Sequence, residues 1–159
     1  MFRNRYYNCS CECKCEQPDV LDKIQESICQ IKEGIKYIKC GFDLICCHCK
    51  ICEGIRCIEK GTCIAEKGLA GVVDGLKSVE FECDYRNNAN IKNGVCGIND
   101  GLRSLREAIC RLRHCCLCEG IENVQCGLCQ LEEGLCYLVK GIDDLKSEED
   151  CRRKSKSCC

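Results

Sequence analysis

The stretch Cys29-Gln30-Ile31-Lys32-Glu33-Gly34-Ile35-Lys36-Tyr37-Ile38 returns later in the chain as Cys96-Gly97-Ile98-Asn99-Asp100-Gly101-Leu102-Arg103-Ser104-Leu105. Further on, His48-Cys49-Lys50-Ile51-Cys52-Glu53-Gly54-Ile55 returns as His114-Cys115-Cys116-Leu117-Cys118-Glu119-Gly120-Ile121. The offset shortens by one residue between these blocks. It then holds, so that Gly61, Gly68 and Gly75 fall on Gly127, Gly134 and Gly141. Self-similarity of this kind marks two copies of one structural unit.

Working outward from the repeated stretch, each unit reads as helix. Apolar residues recur at Ile35, Ile38, Phe42 and Ile45, at Ile55 and Ile58, and at Leu69, Val72, Leu76 and Val79. The second copy repeats the spacing at Leu102, Leu105, Ile109 and Leu112. It continues through Ile121, Val124, Leu128, Leu131, Leu135, Leu138, Ile142 and Leu145. Steps of three and four build an a/d heptad seam, whereas a strand would alternate. The seam loses phase after Ile45 and again, by a different amount, after Leu112. A turn absorbs both breaks without strain, while one continuous helix would need a stutter at each. The predicted fold is therefore all-α, a duplicated helical hairpin forming a four-helix arrangement, with bends at the His-Cys segments and Cys-rich flexible tails.

The same reading divides the chain. Residues 1–17 form a Cys-rich arm, and Gln17-Pro18-Asp19 supplies a start signal for the first helix of repeat 1, residues 18–81. Residues 82–93 are a linker in which Asp84, Asn87, Asn88 and Asn90 gather as loop formers. Repeat 2 covers 94–149, and 150–159 is a basic Cys-bearing tail.

Glycine is used in an unusual way. All 14 glycines lie inside the repeats, most at heptad position g and directly before an apolar residue. Each one inside a helix costs about 1 kcal/mol relative to alanine, so a seven-residue glycine period needs a physical reason. Close approach of neighbouring helices within the bundle is the simplest. A flat stripe for a neighbouring molecule is the second reading, and a turn-rich, non-helical repeat the third.

The chain holds 24 cysteines in 159 residues, far more than fold stabilisation needs at this length. Their heptad phase is the informative part. Cys40, Cys47 and Cys126 fall at position f and Cys57 at c. Cys63, Cys96, Cys110, Cys129 and Cys136 fall at b, all directed away from an a/d core. A disulfide needs Cα atoms within about 7 Å. Outer-face thiols on separate helices of one bundle seldom come that close, whereas thiols on adjoining molecules can. Cys9, Cys11, Cys13 and Cys15 in the arm, with Cys151, Cys158 and Cys159 in the tail, add reach. These sixteen residues are the candidates for cross-linking between copies.

Thiolates also bind Zn or Cu(I), so a metal-binding or metal-storage protein is the alternative. A copper-storing bundle would place its thiols inward, where this sequence has Ile and Leu. A metal clip at each bend is the more specific form. Cys46, His48, Cys49 and Cys52 would act at the first, and His114, Cys115 and Cys118 at the second. The spacing alone is a weak warrant. No cofactor is otherwise expected. Enzymatic activity is not expected either, because no third group recurs beside a Cys–His pair to orient it.

With 24 basic and 25 acidic residues the net charge is -1, which gives no footprint for nucleic acid or an anionic membrane. No run approaches the roughly 18 apolar residues of a membrane span. The opening Met1-Phe2-Arg3-Asn4-Arg5-Tyr6-Tyr7 lacks the apolar stretch of a signal peptide. Synthesis in a reducing cytoplasm is expected, with oxidation following later.

In length, cysteine load and both Cys-rich ends, with Cys9-Ser10-Cys11-Glu12-Cys13-Lys14-Cys15 and terminal Cys158-Cys159, the chain resembles the small cysteine-rich exosporium morphogenetic proteins of clostridial spores. That resemblance implies synthesis in the mother-cell cytoplasm without a signal peptide and self-assembly on the spore surface. It also implies oxidation into a resistant outer layer, with the chain itself, and other cysteine-rich spore-surface proteins, as partners.

Overall fold

The computed structural model describes residues 20–79 and 88–156. They form four helices: α1 (Val20–Cys46), α2 (Ile51–Val79), α3 (Ala89–Arg113) and α4 (Leu117–Lys156). The described residues contain no strand. α1 packs along α2 and α3 along α4. The two hairpins then meet through smaller contacts of α2 with α3 and α1 with α4. Lys39–Glu132 and Lys146–Gln25 link α1 to α4 in antiparallel sense. Glu66–Arg106 and Glu59–Arg113 do the same for α2 and α3. The helices therefore run up, down, up, down, and both bends lie at one end of the bundle.

The heptad seam is the core. Ile35, Ile38, Ile45, Ile55, Ile58, Leu69, Val72 and Leu76 are buried in the first hairpin. Leu102, Leu105, Leu112, Val124, Leu128, Leu131, Leu138, Ile142 and Leu145 are buried in the second. Phe42, Ile109, Ile121 and Leu135 pack against this core half-buried. The seam is longer than the large apolar residues quoted above, since Ile24, Ile28, Ile31, Ile91 and Ile98 extend it. In α2, Thr62 and Ala65 fill the gap between Ile58 and Leu69. Burial of Thr62 is tolerated because its hydroxyl donates to the Ile58 carbonyl at 2.8 Å.

The glycines bring the two helices of each hairpin together, the first of the three readings. A Cβ built on Gly34 would stand 2.6 Å from the Gly61 carbonyl oxygen, and one on Gly61 2.5 Å from that of Gly34. In the second hairpin a Cβ on Gly101 would stand 2.8 Å from the Gly127 carbonyl oxygen. Backbone meets backbone at these crossings, so no side chain fits. Where the row has no glycine, small residues continue it. Ser27 is buried opposite Gly68 and ties its hydroxyl to the Lys23 carbonyl, and Ala108 is fully buried in the place that Gly41 holds in the first copy.

Both bends are true turns. His114 is the C-cap of α3, after which Cys115 N–H donates to the Leu112 carbonyl and Cys116 N–H to that of Arg111, the paired bonds of a Schellman cap. Cys115 has φ 62°, and its counterpart Cys49 has φ 54°. The first bend spans 47–50 and the second 114–116, so the single-residue difference between the copies is absorbed in loop length.

Two boundaries differ from the sequence reading. α3 begins at Ala89, inside the 82–93 stretch, because Asn88 acts as its N-cap and accepts from Ile91 N–H at 3.2 Å. The 150–159 tail, expected to be flexible, is helical as far as Lys156. No Gly or Pro follows Gly141 to stop α4, and Lys, Glu and Arg favour its continuation. Residues 1–19, which include the Cys-rich arm, lie outside the described residues.

Candidate functional site: the thiol-bearing surface

The packing that buries Ile and Leu leaves the thiols outside. Cys40, Cys47, Cys63, Cys96, Cys110, Cys126, Cys129 and Cys136 are exposed and free, and Cys57 is half-buried and free. Cys46, Cys49, Cys52, Cys115, Cys116 and Cys118 around the bends are likewise exposed. Cys29 is also exposed and free. It is not among the sixteen cross-linking candidates above, although its place seven residues before Lys36 puts it on a solvent-facing row. Cys9, Cys11, Cys13, Cys15, Cys158 and Cys159 lie outside the described residues. Cys151 belongs to the last turns of α4, and its side chain is not among those described.

At the second bend the His114 imidazole holds the backbone. Its Nδ1 lies 2.7 Å from the Cys110 carbonyl oxygen, which assigns the proton to Nδ1 and makes it the donor. Cys110 Sγ lies 3.8 Å from the same nitrogen. With Nδ1 committed to the carbonyl it offers no lone pair to the thiol, so this Cys–His neighbourhood is not arranged as a nucleophile with its base. Cys116 Sγ points to the His114 carbonyl at 3.8 Å, a weak contact. An Arg111–Glu119 ion pair ties the end of α3 to the start of α4.

His48, Cys46, Cys49 and Cys52 at the first bend are all exposed, as are His114, Cys115 and Cys118 at the second. Among the described residues no three His, Cys, Asp or Glu side chains converge in a way that would hold a metal ion. Cys46 is exposed at the end of α1. Desolvation by the packing beneath it pushes its thiol above the usual range, and the nearby Cys47 and Asp43 add to this in the same direction.

Two grooves run where the hairpins meet, and each carries a thiol on its wall. One lies between Ile35, Lys36 and Lys39 of α1 and Glu132, Cys136 and Val139 of α4. The other lies between Leu76 and Lys77 of α2 and Lys92, Val95 and Cys96 of α3. Among the described residues no helix is long and apolar enough to cross a membrane. In comparisons with known proteins, no family model matches this chain, and no curated protein or solved structure matches it.

Proposed function

We propose that the chain is a non-enzymatic structural protein that assembles with copies of itself into an ordered layer locked by intermolecular disulfides. Its resemblance to exosporium proteins supports the outer layer of a spore as the location. The observation that carries the reading is the separation of interior from thiols: sixteen described cysteines are free and none belongs to the buried core. A thiol on an outer face does nothing for the monomer's packing and is open to a partner.

The bends support the same reading. Cys49 and Cys115 occupy left-handed backbone, where a residue with a Cβ costs about 1 kcal/mol or more and glycine costs nothing. A chain so rich in glycine inside its helices nevertheless carries a thiol at both turns.

Gel electrophoresis of purified assemblies under non-reducing and reducing conditions tests the proposal. A ladder or material too large to enter the gel, collapsing to monomer on reduction, is the expected result. Monomer in both lanes would overturn it.

A further inference from the structure

The thiols are not spread evenly around the bundle, and the rows of each helix show where they stand. Residues seven apart share a row on a heptad-packed helix. Lys36 borders the α1/α4 groove, so Cys29, one heptad earlier, borders the same face. Cys129 stands one heptad from Cys136 on that face, and Cys118 two heptads from Glu132. On the α2/α3 face, Cys63 stands two heptads from Lys77 and Cys110 two heptads from Cys96. Cys52 stands two heptads from Glu66, which pairs with Arg106 across the same helices. The outer sides of the two hairpins carry fewer, four in all, and Cys40 and Cys47 stand one and two heptads from Glu33 on the outer row of α1. Cys57 shares a row with Gly71, which faces Ser27 of α1, and Cys126 shares a row with Glu133 in the α3/α4 groove. Because the helices follow one another around the bundle, the two thiol-bearing faces are opposite.

These faces differ in charge. The α2/α3 face and its rows carry Arg56, Lys77, Lys92, Arg103, Arg106 and Arg113. Its two acids, Glu59 and Glu66, are held by Arg113 and Arg106, and Lys77 and Arg103 pair with Asp74 and Asp100 of their own helices, which leaves Arg56 and Lys92 without an ion pair among the described residues. The α1/α4 face is close to balance. Asp22, Asp43, Glu122 and Asp143 in its rows form no ion pair among the described residues, and they outnumber Lys32 and Lys36, which form none either. A basic face set against itself is repelled, whereas set against the unpaired acids of the other face it is attracted.

We infer that copies of this chain associate head to tail, the α2/α3 face of one against the α1/α4 face of the next, and that disulfides form across this contact. The inference rests on the cross-linking reading and specifies its geometry. Two different, opposite faces give a contact that does not close, so the rows are open and grow perpendicular to the helix axes. The chemistry is thiol–disulfide exchange with a small-molecule disulfide as oxidant. A thiolate of one copy attacks it and releases one small thiolate. A thiolate of the next copy then attacks the mixed disulfide and releases the second. Two protein thiols lose two protons and two electrons, and the small disulfide is reduced to two thiols.

The test uses the full chain, half of it labelled with 15N, mixed in reductant and then oxidised with glutathione disulfide. Remaining thiols are alkylated, and linked peptides joining labelled to unlabelled chains are identified by mass spectrometry. Interchain links should join Cys29, Cys118, Cys129 or Cys136 to Cys52, Cys63, Cys96 or Cys110. Links within either set, or links confined to the bend turns and chain ends, overturn the head-to-tail contact and leave the cross-linking reading standing. No interchain link of any kind removes both. Independently, a full chain carrying Arg56→Glu and Lys92→Glu should form oligomers several-fold more slowly at low salt, with the difference narrowing as salt is added. An unchanged or faster rate overturns the inference, because a face pairing with itself would gain from losing like charge.

Discussion

The inside of each hairpin and the faces between the hairpins are built by opposite means. Between α1 and α2, and between α3 and α4, glycines bring backbones into contact and leave no freedom in side-chain choice. Where hairpin meets hairpin, the contacts are sparser and their margins carry ion pairs, shallow grooves and thiols. The first region fixes the unit. The second is a surface on which cysteine and charge can be placed without disturbing the fold. The proposed function would need both, a rigid piece and exposed points of attachment.

The largest effect should come from breaking the tight side. Gly34→Leu places a side chain where even a Cβ would lie 2.6 Å from the Gly61 carbonyl oxygen and 2.8 Å from Ala65 N. Neither backbone atom can move without separating α1 from α2. The expected loss is about 3 kcal/mol or more, read from urea unfolding in the presence of reductant. A loss under about 1 kcal/mol would mean that the hairpin opens easily, and the contrast between the two regions would fail.

Much of this division was legible in the sequence, because both regions are written in heptad phase. Ile and Leu at a and d gave the helices, glycine at g gave the close approach, and cysteine at b, c and f gave the outward thiols. The parts that escaped depend on context. Ala65 and Thr62 are core residues only because Ile58 and Leu69 flank them in the same row. Ser27 and Ala108 serve where glycine is expected, so the glycine period alone understates the seam. Asn88 looked like a loop former and is a helix cap, two roles that rest on the same side-chain hydrogen bond. The unequal charge of the two thiol faces could not be seen at all until the order of helices around the bundle was known, since each face combines rows from helices far apart in sequence.

A smaller effect of opposite sign sharpens the comparison at the bends. Cys115→Gly relieves the left-handed backbone at the second turn, and should stabilise the reduced monomer by about 1 kcal/mol. The matching measurement is the urea midpoint of the reduced protein. The gain would identify a place where the thiol is kept at the expense of the fold. No gain would show that the turn accommodates Cβ freely. Smaller still is the pH response of Cys46. Its thiol is held above the usual range, so its protonated form favours the folded state. That contribution is complete below the unfolded pKa and is lost as pH rises through the folded one. Site-resolved alkylation should show Cys46 reaching half its maximal rate at a higher pH than the same residue in urea-unfolded chain. A coincident profile would remove the effect.

The smallest expected effect on stability is the most informative about the thiol faces. Cys29 and Cys129 are exposed, and neither belongs to the core cluster. Replacing both with serine should change the unfolding free energy of the reduced monomer by no more than about 0.5 kcal/mol, the ordinary range for surface substitutions. Oxidation of the same variant should yield fewer covalent oligomers than the parent. The two readouts must separate for the division between regions to hold. If stability falls by more than about 1 kcal/mol, these thiols take part in the packing of the monomer and their exposure is not their purpose. If stability is unchanged and oligomers form as before, the bridges run through other cysteines, and Cys29 and Cys129 have no role in joining.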